Sequence, residues 1–184
     1  MAVVISMLRG VNVGGHNCIK MESLRTMYES LGLRDARTYV QSGNVVFRTA
    51  ARDPIGLAKR IENKIEQTYG FRPAVINRTT SELREAIRRN PFAGRDGIHP
   101  SKLLVTFLAV EPNSEAREKI LGIPADPEEL RIAGREVYVY YPNGMGRSRL
   151  SAALIERTLK THGTGRNWNT VTKLLEMAEE LESL

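Results

Sequence analysis

The sequence predicts an α+β fold made of two tandem βαββαβ units, with a connecting helix between them and a C-terminal helix closing the chain. Three observations lead there. Short β-branched apolar runs alternate with stretches whose apolar residues recur every three or four positions. Turn and capping residues punctuate nearly every boundary. The order of elements in residues 1–78 reappears in residues 79–184, with no residue-level repeat accompanying it.

Residues 2–8 form the first apolar run and read as a buried strand. Beyond a glycine-bearing loop, Met21, Leu24, Met27, Tyr28 and Leu31 share a helical face that Gly32 terminates. Residues 37–41 and 45–49 read as a hairpin around Ser42-Gly43-Asn44. Asp53 followed by Pro54 starts a second helix, whose face carries Ile55, Ala58, Ile61 and Ile65 as far as Gly70. Residues 73–78 complete the first unit. Thr79 with Glu82 forms a capping box for the connecting helix, which Asn90-Pro91 stops. The second unit then runs through a strand at 102–109, a short helix from Asn113 to Leu121, and a hairpin of 129–133 with 136–141. A helix begins near Leu150, with Ser148 as its cap, and a weak extended piece follows at 164–167. The closing helix carries Val171, Leu174, Leu175, Ala178 and Leu181, with Asn169 as its cap.

Composition bounds the functional classes. A chain of 184 residues with 41% hydrophobic and 26% charged residues can bury a core of its own. One cysteine, Cys18, excludes an internal disulfide and fits a reducing compartment. The start MAVVISMLRG has neither the basic opening nor the long apolar stretch of a secretion signal, so a cytoplasmic protein without membrane contact is expected. The net charge of +6 is uneven along the chain: residues 1–92 carry 15 Lys and Arg against 8 Asp and Glu, and residues 93–184 carry 12 against 13. A basic first half favours an anionic partner, either a phosphorylated small molecule or nucleic acid.

Five segments are more distinctive than composition. They are Leu8–Gly15 (LRGVNVGG), Tyr39–Phe47 (YVQSGNVVF), Asn90-Pro91-Phe92, Tyr141–Ser148 (YPNGMGRS) with Leu150, and Arg166–Val171 (RNWNTV) with Lys173-Leu174. In this order they resemble the DUF1697 family of bacterial proteins, over nearly the whole chain. The resemblance implies an α+β fold with ferredoxin-like elements. It implies no activity and no cofactor.

Two clusters of these residues are candidates for ligand binding. The first is the loop from Arg9 to Lys20, longer than a strand–helix link needs. Its glycines at 10, 14 and 15 allow backbone N–H groups to approach an anion, and Arg9 and Asn12 add a charge and an amide. Strands 1 and 2 of a βαββαβ unit run parallel. That brings Arg9, Asn12, Gly14 and Gly15 to the same end of the sheet as Gln41, Ser42, Gly43 and Asn44. Neither a dinucleotide-binding nor a P-loop pattern is present. The second cluster is the mirror case, where the exits of the last two strands of the second unit share an end. It gathers Arg147, Ser148 and Arg149 with Arg166, Asn167, Trp168 and Asn169. Arginines at helix starts oppose the helix dipole unless an anion, or a carboxylate such as Glu136 or Glu156, lies between them.

Other chemistry is poorly represented. His16, His99 and His162 have no metal-ligand spacing to one another or to Cys18, and no Ser-His-Asp pattern appears. The glutamates at 176, 179, 180 and 182 read as the solvated face of the closing helix. The leading expectation is a site for a phosphorylated or nucleotide-like anion, with no reaction assigned. The alternative is weak, sequence-indifferent nucleic-acid binding. Recognition on the sheet face is disfavoured, because the first strand lacks aromatics and 45–47 offers only Phe47.

Overall fold

The computed structural model describes residues Met1–Leu184. It contains two four-stranded antiparallel sheets and six α-helices. The elements follow in the order β1 (Ala2–Leu8), α1 (Met21–Ser30), β2 (Arg34–Tyr39), β3 (Asn44–Thr49), α2 (Pro54–Tyr69), β4 (Val75–Thr79) and α3 (Thr80–Arg88). The order then recurs as β5 (Leu103–Leu108), α4 (Ser114–Leu121), β6 (Glu129–Ala133), β7 (Glu136–Tyr140), α5 (Ala152–Leu159), β8 (Gly163–Asn167) and α6 (Trp168–Glu182). The sheets are ordered β2-β3-β1-β4 and β6-β7-β5-β8.

Local chemistry explains the boundaries. Asp53 accepts from Ile55 N at 3.0 Å to cap α2, and Asn113 accepts from Ala116 N at 2.8 Å to cap α4. Thr79 and Glu82 form a reciprocal capping box at 2.8 and 3.1 Å. Two expected caps shift. Ser151, not Ser148, caps α5, and Asn167, not Asn169, caps α6 by accepting from Thr170 N at 2.9 Å. Ser148 instead accepts from Leu150 N within a turn, which postpones the helix to Ala152. The first hairpin also differs, because β2 ends at Tyr39 and Val40 turns with φ 49.

In register, Val4, Ser6 and Leu8 share one face of β1, against which α1 and α2 bury Leu24, Met27, Tyr28, Leu57, Ile61 and Ile65. Tyr28 meets Phe47 edge-on, with centroids 5.3 Å apart. Each fully buried aliphatic side chain here contributes about 1.5–3 kcal/mol. In the second sheet Leu108, Val137 and Val139 pack with Ala116, Ile120, Ile155 and Leu159. The opposite face of each sheet is buried too. Arg48 donates to Leu181 O at 2.5 Å, which sets the end of α6 on the first sheet, and Tyr138 Oη donates to Ala86 O at 2.6 Å, which sets the end of α3 on the second. No helix is long and apolar enough to cross a membrane.

By internal packing the chain divides into one unit of Met1–Arg84 with Lys173–Leu184, and another of Glu85–Thr172. The expected division after residue 78 therefore differs in two places, because the start of α3 and most of α6 group with the first sheet. This redistributes charge. The first unit holds 14 Lys and Arg against 11 Asp and Glu, the second 13 against 10, so each carries +3. Glu179 lies 2.9 Å from Arg84 and Glu180 lies 3.6 Å from Arg37, so these glutamates pair with first-unit arginines rather than forming a purely solvated face.

Candidate functional site

At one end of the first sheet the Arg9–Lys20 loop meets the turn at residues 40–43, and Asn12 joins them. Its amide donates to Ile19 O at 2.9 Å and to Gln41 O at 2.7 Å, while its carbonyl accepts from Ile19 N at 2.8 Å. Asn12 holds φ 55 to do so. Asn is one of the few side chains that tolerate this region. Leu8 N donates to Gly43 O at 2.9 Å, and a Cβ on Gly43 would stand 2.9 Å from Leu8 Cβ, so only glycine fits. Asn44 is buried and donates to Tyr39 O and Ser42 Oγ at 3.0 and 2.9 Å.

The predicted cluster is thus brought together, and its members divide into two groups. Asn12 ties the loop to the turn, Asn44 bonds Tyr39 O and Ser42 Oγ within the turn, and Gly43 O accepts from Leu8 N of β1. Arg9, Gly14, Gly15 and the Gln41 side chain are exposed. His16 and Lys20 are exposed on the same loop, and neither residues 9–21 nor residues 36–52 contain a carboxylate. Positive φ occurs at Gly10, Asn12, Gly14, Gly15, Asn17, Val40 and Gly43. For Val40 this is a costly conformation, since a β-branched side chain crowds the backbone there.

The helix that follows this loop lacks a side-chain cap. Lys20 occupies the capping position of α1 and makes no capping hydrogen bond, whereas Asp53, Thr79, Asn113, Ser151 and Asn167 cap the other five helices. The first N–H groups of α1 therefore retain donor capacity at the positive end of the helix dipole. This feature was missed above, although its signal is legible: no Ser, Thr, Asp or Asn directly precedes Met21.

In the second cluster one arginine is buried and two are exposed. Arg166 is 6% exposed, and its Nη1 donates to Thr164 Oγ1 at 2.7 Å and to Gly165 O at 2.9 Å. Burial lowers its pKa to about 10, so it remains a cation at neutral pH. Arg147 and Arg149 are exposed in the loop before α5, and Tyr141 Oη closes that loop by donating to Leu150 O at 2.7 Å. Asn167 is occupied as a cap, Trp168 is half-buried, and Asn169 is exposed within the first turn of α6. The carboxylates considered as alternatives are elsewhere engaged: Glu156 accepts from Gly163 N at 3.0 Å, and Glu136 is buried on β7.

No group of His, Cys, Asp and Glu side chains could hold a metal ion. Cys18 is exposed and donates to Gly15 O at 3.3 Å. The sheet face that would stack bases is closed, because Val3, Ile5, Met7 and Val46 are at most 4% exposed.

Comparison with known proteins identifies a family and a shared fold and names no ligand. The sequence profile of a family described as "Protein of unknown function (DUF1697)" matches residues 1–138. No curated protein matches the chain. A conserved bacterial protein, SP0830 from Streptococcus pneumoniae, has a similar structure with a TM-score of 0.76 at 18% identity, over 97% of this chain and 99% of that one. At that identity the likeness concerns the fold alone.

Proposed function

The chain belongs to the DUF1697 family, whose description states no function, and we propose from its own geometry that it binds a phosphorylated or nucleotide-like anion. The site is the end of the first sheet where the Arg9–Lys20 loop meets the 40–43 turn. One observation carries the reading: a glycine-rich loop, free of carboxylates and tied by Asn12 to a turn strained at Val40, leads into the one α-helix without a side-chain cap. Anions favour such helix starts because N–H groups and dipole act together. Strain held in place by surrounding bonds is characteristic of ligand sites. The reading rests on this local arrangement rather than on bulk charge, since the two units are equally basic. We also infer that each unit is ferredoxin-like, because the antiparallel order β4-β1-β3-β2 recurs as β8-β5-β7-β6.

The test is thermal denaturation with sulfate, phosphate or adenosine monophosphate, against chloride at equal ionic strength. A ligand at about a hundred times its Kd stabilises by roughly 2.7 kcal/mol. The wild type and Arg147→Ala should both be stabilised, whereas Arg9→Ala with Gln41→Ala should fold normally and lose the shift. Stabilisation lost in Arg147→Ala and kept in the double variant would move the site to the second unit.

A further inference from the structure

The first unit carries an open groove of about 580 Å³ between α1 and α2, lined by Glu22, Thr26 and Ser30 from one helix and Lys64, Thr68 and Tyr69 from the other. Arg60 Nη2 of α2 donates to Leu31 O at 3.0 Å, which ties the end of α1 to its neighbour. The volume is that of a small-molecule site. Such sites are lined mainly by apolar side chains, whereas hydroxyl and charged groups dominate this one.

The hydroxyls are each committed on one side. Thr26 Oγ1 donates to Glu22 O at 3.1 Å, Ser30 Oγ to Met27 O at 2.6 Å and Thr68 Oγ1 to Lys64 O at 2.7 Å. With its single proton given to its own helix, each hydroxyl offers a bound molecule only lone pairs. The Glu22 carboxylate is a further acceptor. Lys64 Nζ and Tyr69 Oη are the donors, and burial pushes the Tyr69 pKa up, so the phenol keeps its proton. These three end groups have no hydrogen-bond or ion-pair partner in the protein, whereas Glu62 and Glu66 of α2 both pair with Arg72. Thr26 and Ser30 stand one helical turn apart, as do Lys64 and Thr68, so polar groups recur about every 5–6 Å along both walls. That spacing is close to the distance between hydroxyls across a sugar ring.

We propose that the α1–α2 groove binds a polyhydroxy compound of the sugar class, through side chains different from those of the anion site. Sugar hydroxyls donate to Glu22, Thr26, Ser30 and Thr68 and accept from Lys64 and Tyr69. A hydroxyl group both donates and accepts, so one kind of ligand group meets both kinds of wall.

Titration of ¹⁵N-labelled protein with glucose, galactose, mannose, N-acetylglucosamine and myo-inositol tests this, with cyclohexanol and serine as apolar and zwitterionic controls. At least one of the five should shift the amides of Thr26, Ser30, Lys64 and Thr68 below about 50 mM, as a millimolar Kd requires. Cyclohexanol and serine should leave them in place. Thr26→Val with Ser30→Ala should weaken that compound about tenfold through the loss of two hydrogen bonds, and Thr26→Ser should stay within about twofold of wild type. Thr26 and Ser30 are exposed, so these variants should fold normally. Arg9→Ala with Gln41→Ala should bind the compound as the wild type does, which separates this result from that of the anion site. An absence of shifts with all five leaves the groove to water and overturns the proposal. Equal shifts with cyclohexanol overturn it in favour of an apolar contact, and shifts with serine alone in favour of a zwitterion.

Discussion

Two ends of two similar sheets were expected to build similar sites, and the two ends differ. Where β1 and β2 stop, the loop and turn are drawn together by Asn12, and their exposed edge faces solvent in a fixed shape. Where β7 and β8 stop, Arg166 is buried while Arg147 and Arg149 are exposed. The topological premise holds at both ends, because β7 and β8 both run antiparallel to β5 and leave it in the same direction. Side-chain direction is what differs. Arg166 pairs with Val105, on the face of β5 opposite Leu104 and Leu108. Its guanidinium is buried and bonds Thr164 Oγ1 and Gly165 O, whereas Arg147 and Arg149 are exposed. Strand topology brings backbone ends together, but alternation along a strand decides which side chains follow.

The largest expected effect tests this at Arg166. Arg166→Ala removes the bonds to Thr164 and Gly165 and leaves a void in a buried position, which should cost about 3 kcal/mol in urea unfolding. Arg147→Ala and Arg149→Ala should stay within about 0.5 kcal/mol of wild type, as exposed substitutions do. Equal effects at the three positions would mean that they act together, and the contrast between the two ends would collapse.

The next effect lies within the first end. Gly43→Ala meets both an unfavourable positive φ and the Leu8 side chain, and should cost about 2 kcal/mol. Gly14 shares the positive φ, but its nearest neighbour would be His16 at 3.9 Å, so Gly14→Ala should cost about 1 kcal/mol. Denaturant midpoints compare the two directly. A larger loss at Gly14 would show that the open loop, not the brace, supports the fold.

The smallest effect contrasts Arg166 with an exposed arginine of the same unit. Hydrogen bonds from Arg88, at 2.6 and 2.7 Å, hold the Glu85 carboxyl at about 2 instead of 4.5, and Arg89 adds to the effect. A lowered folded-state pKa contributes stability that is present above pH 4.5 and is lost as the pH falls toward 2. Glu85→Gln should therefore slightly flatten the acid limb of the stability curve in that window. The difference should shrink with salt, because both groups lie at the surface. A salt-resistant difference would place the pair in a more buried setting.

The sequence by itself determined the succession of strands and helices, the capping of α2, α3 and α4, and the convergence of the first loop and turn. These rest on interactions within a few residues, such as Asp53 with Ile55 or Thr79 with Glu82, or on a strand order that follows from them. Even the missing cap of α1 could be read from Lys20 preceding Met21. The tertiary structure alone decided where Arg166 points, because that depends on register with β5, more than fifty residues earlier in the chain. It alone decided that Asn12 ties the loop to Gln41 and that Asn44 is turned inward to Tyr39 and Ser42 rather than facing a ligand. It also decided the charge of the two units, because the glutamates of α6 pair with Arg37 and Arg84, about a hundred residues away or more. Local chemistry can be read along the chain, whereas direction, burial and neutralisation arise only when distant segments share the same space.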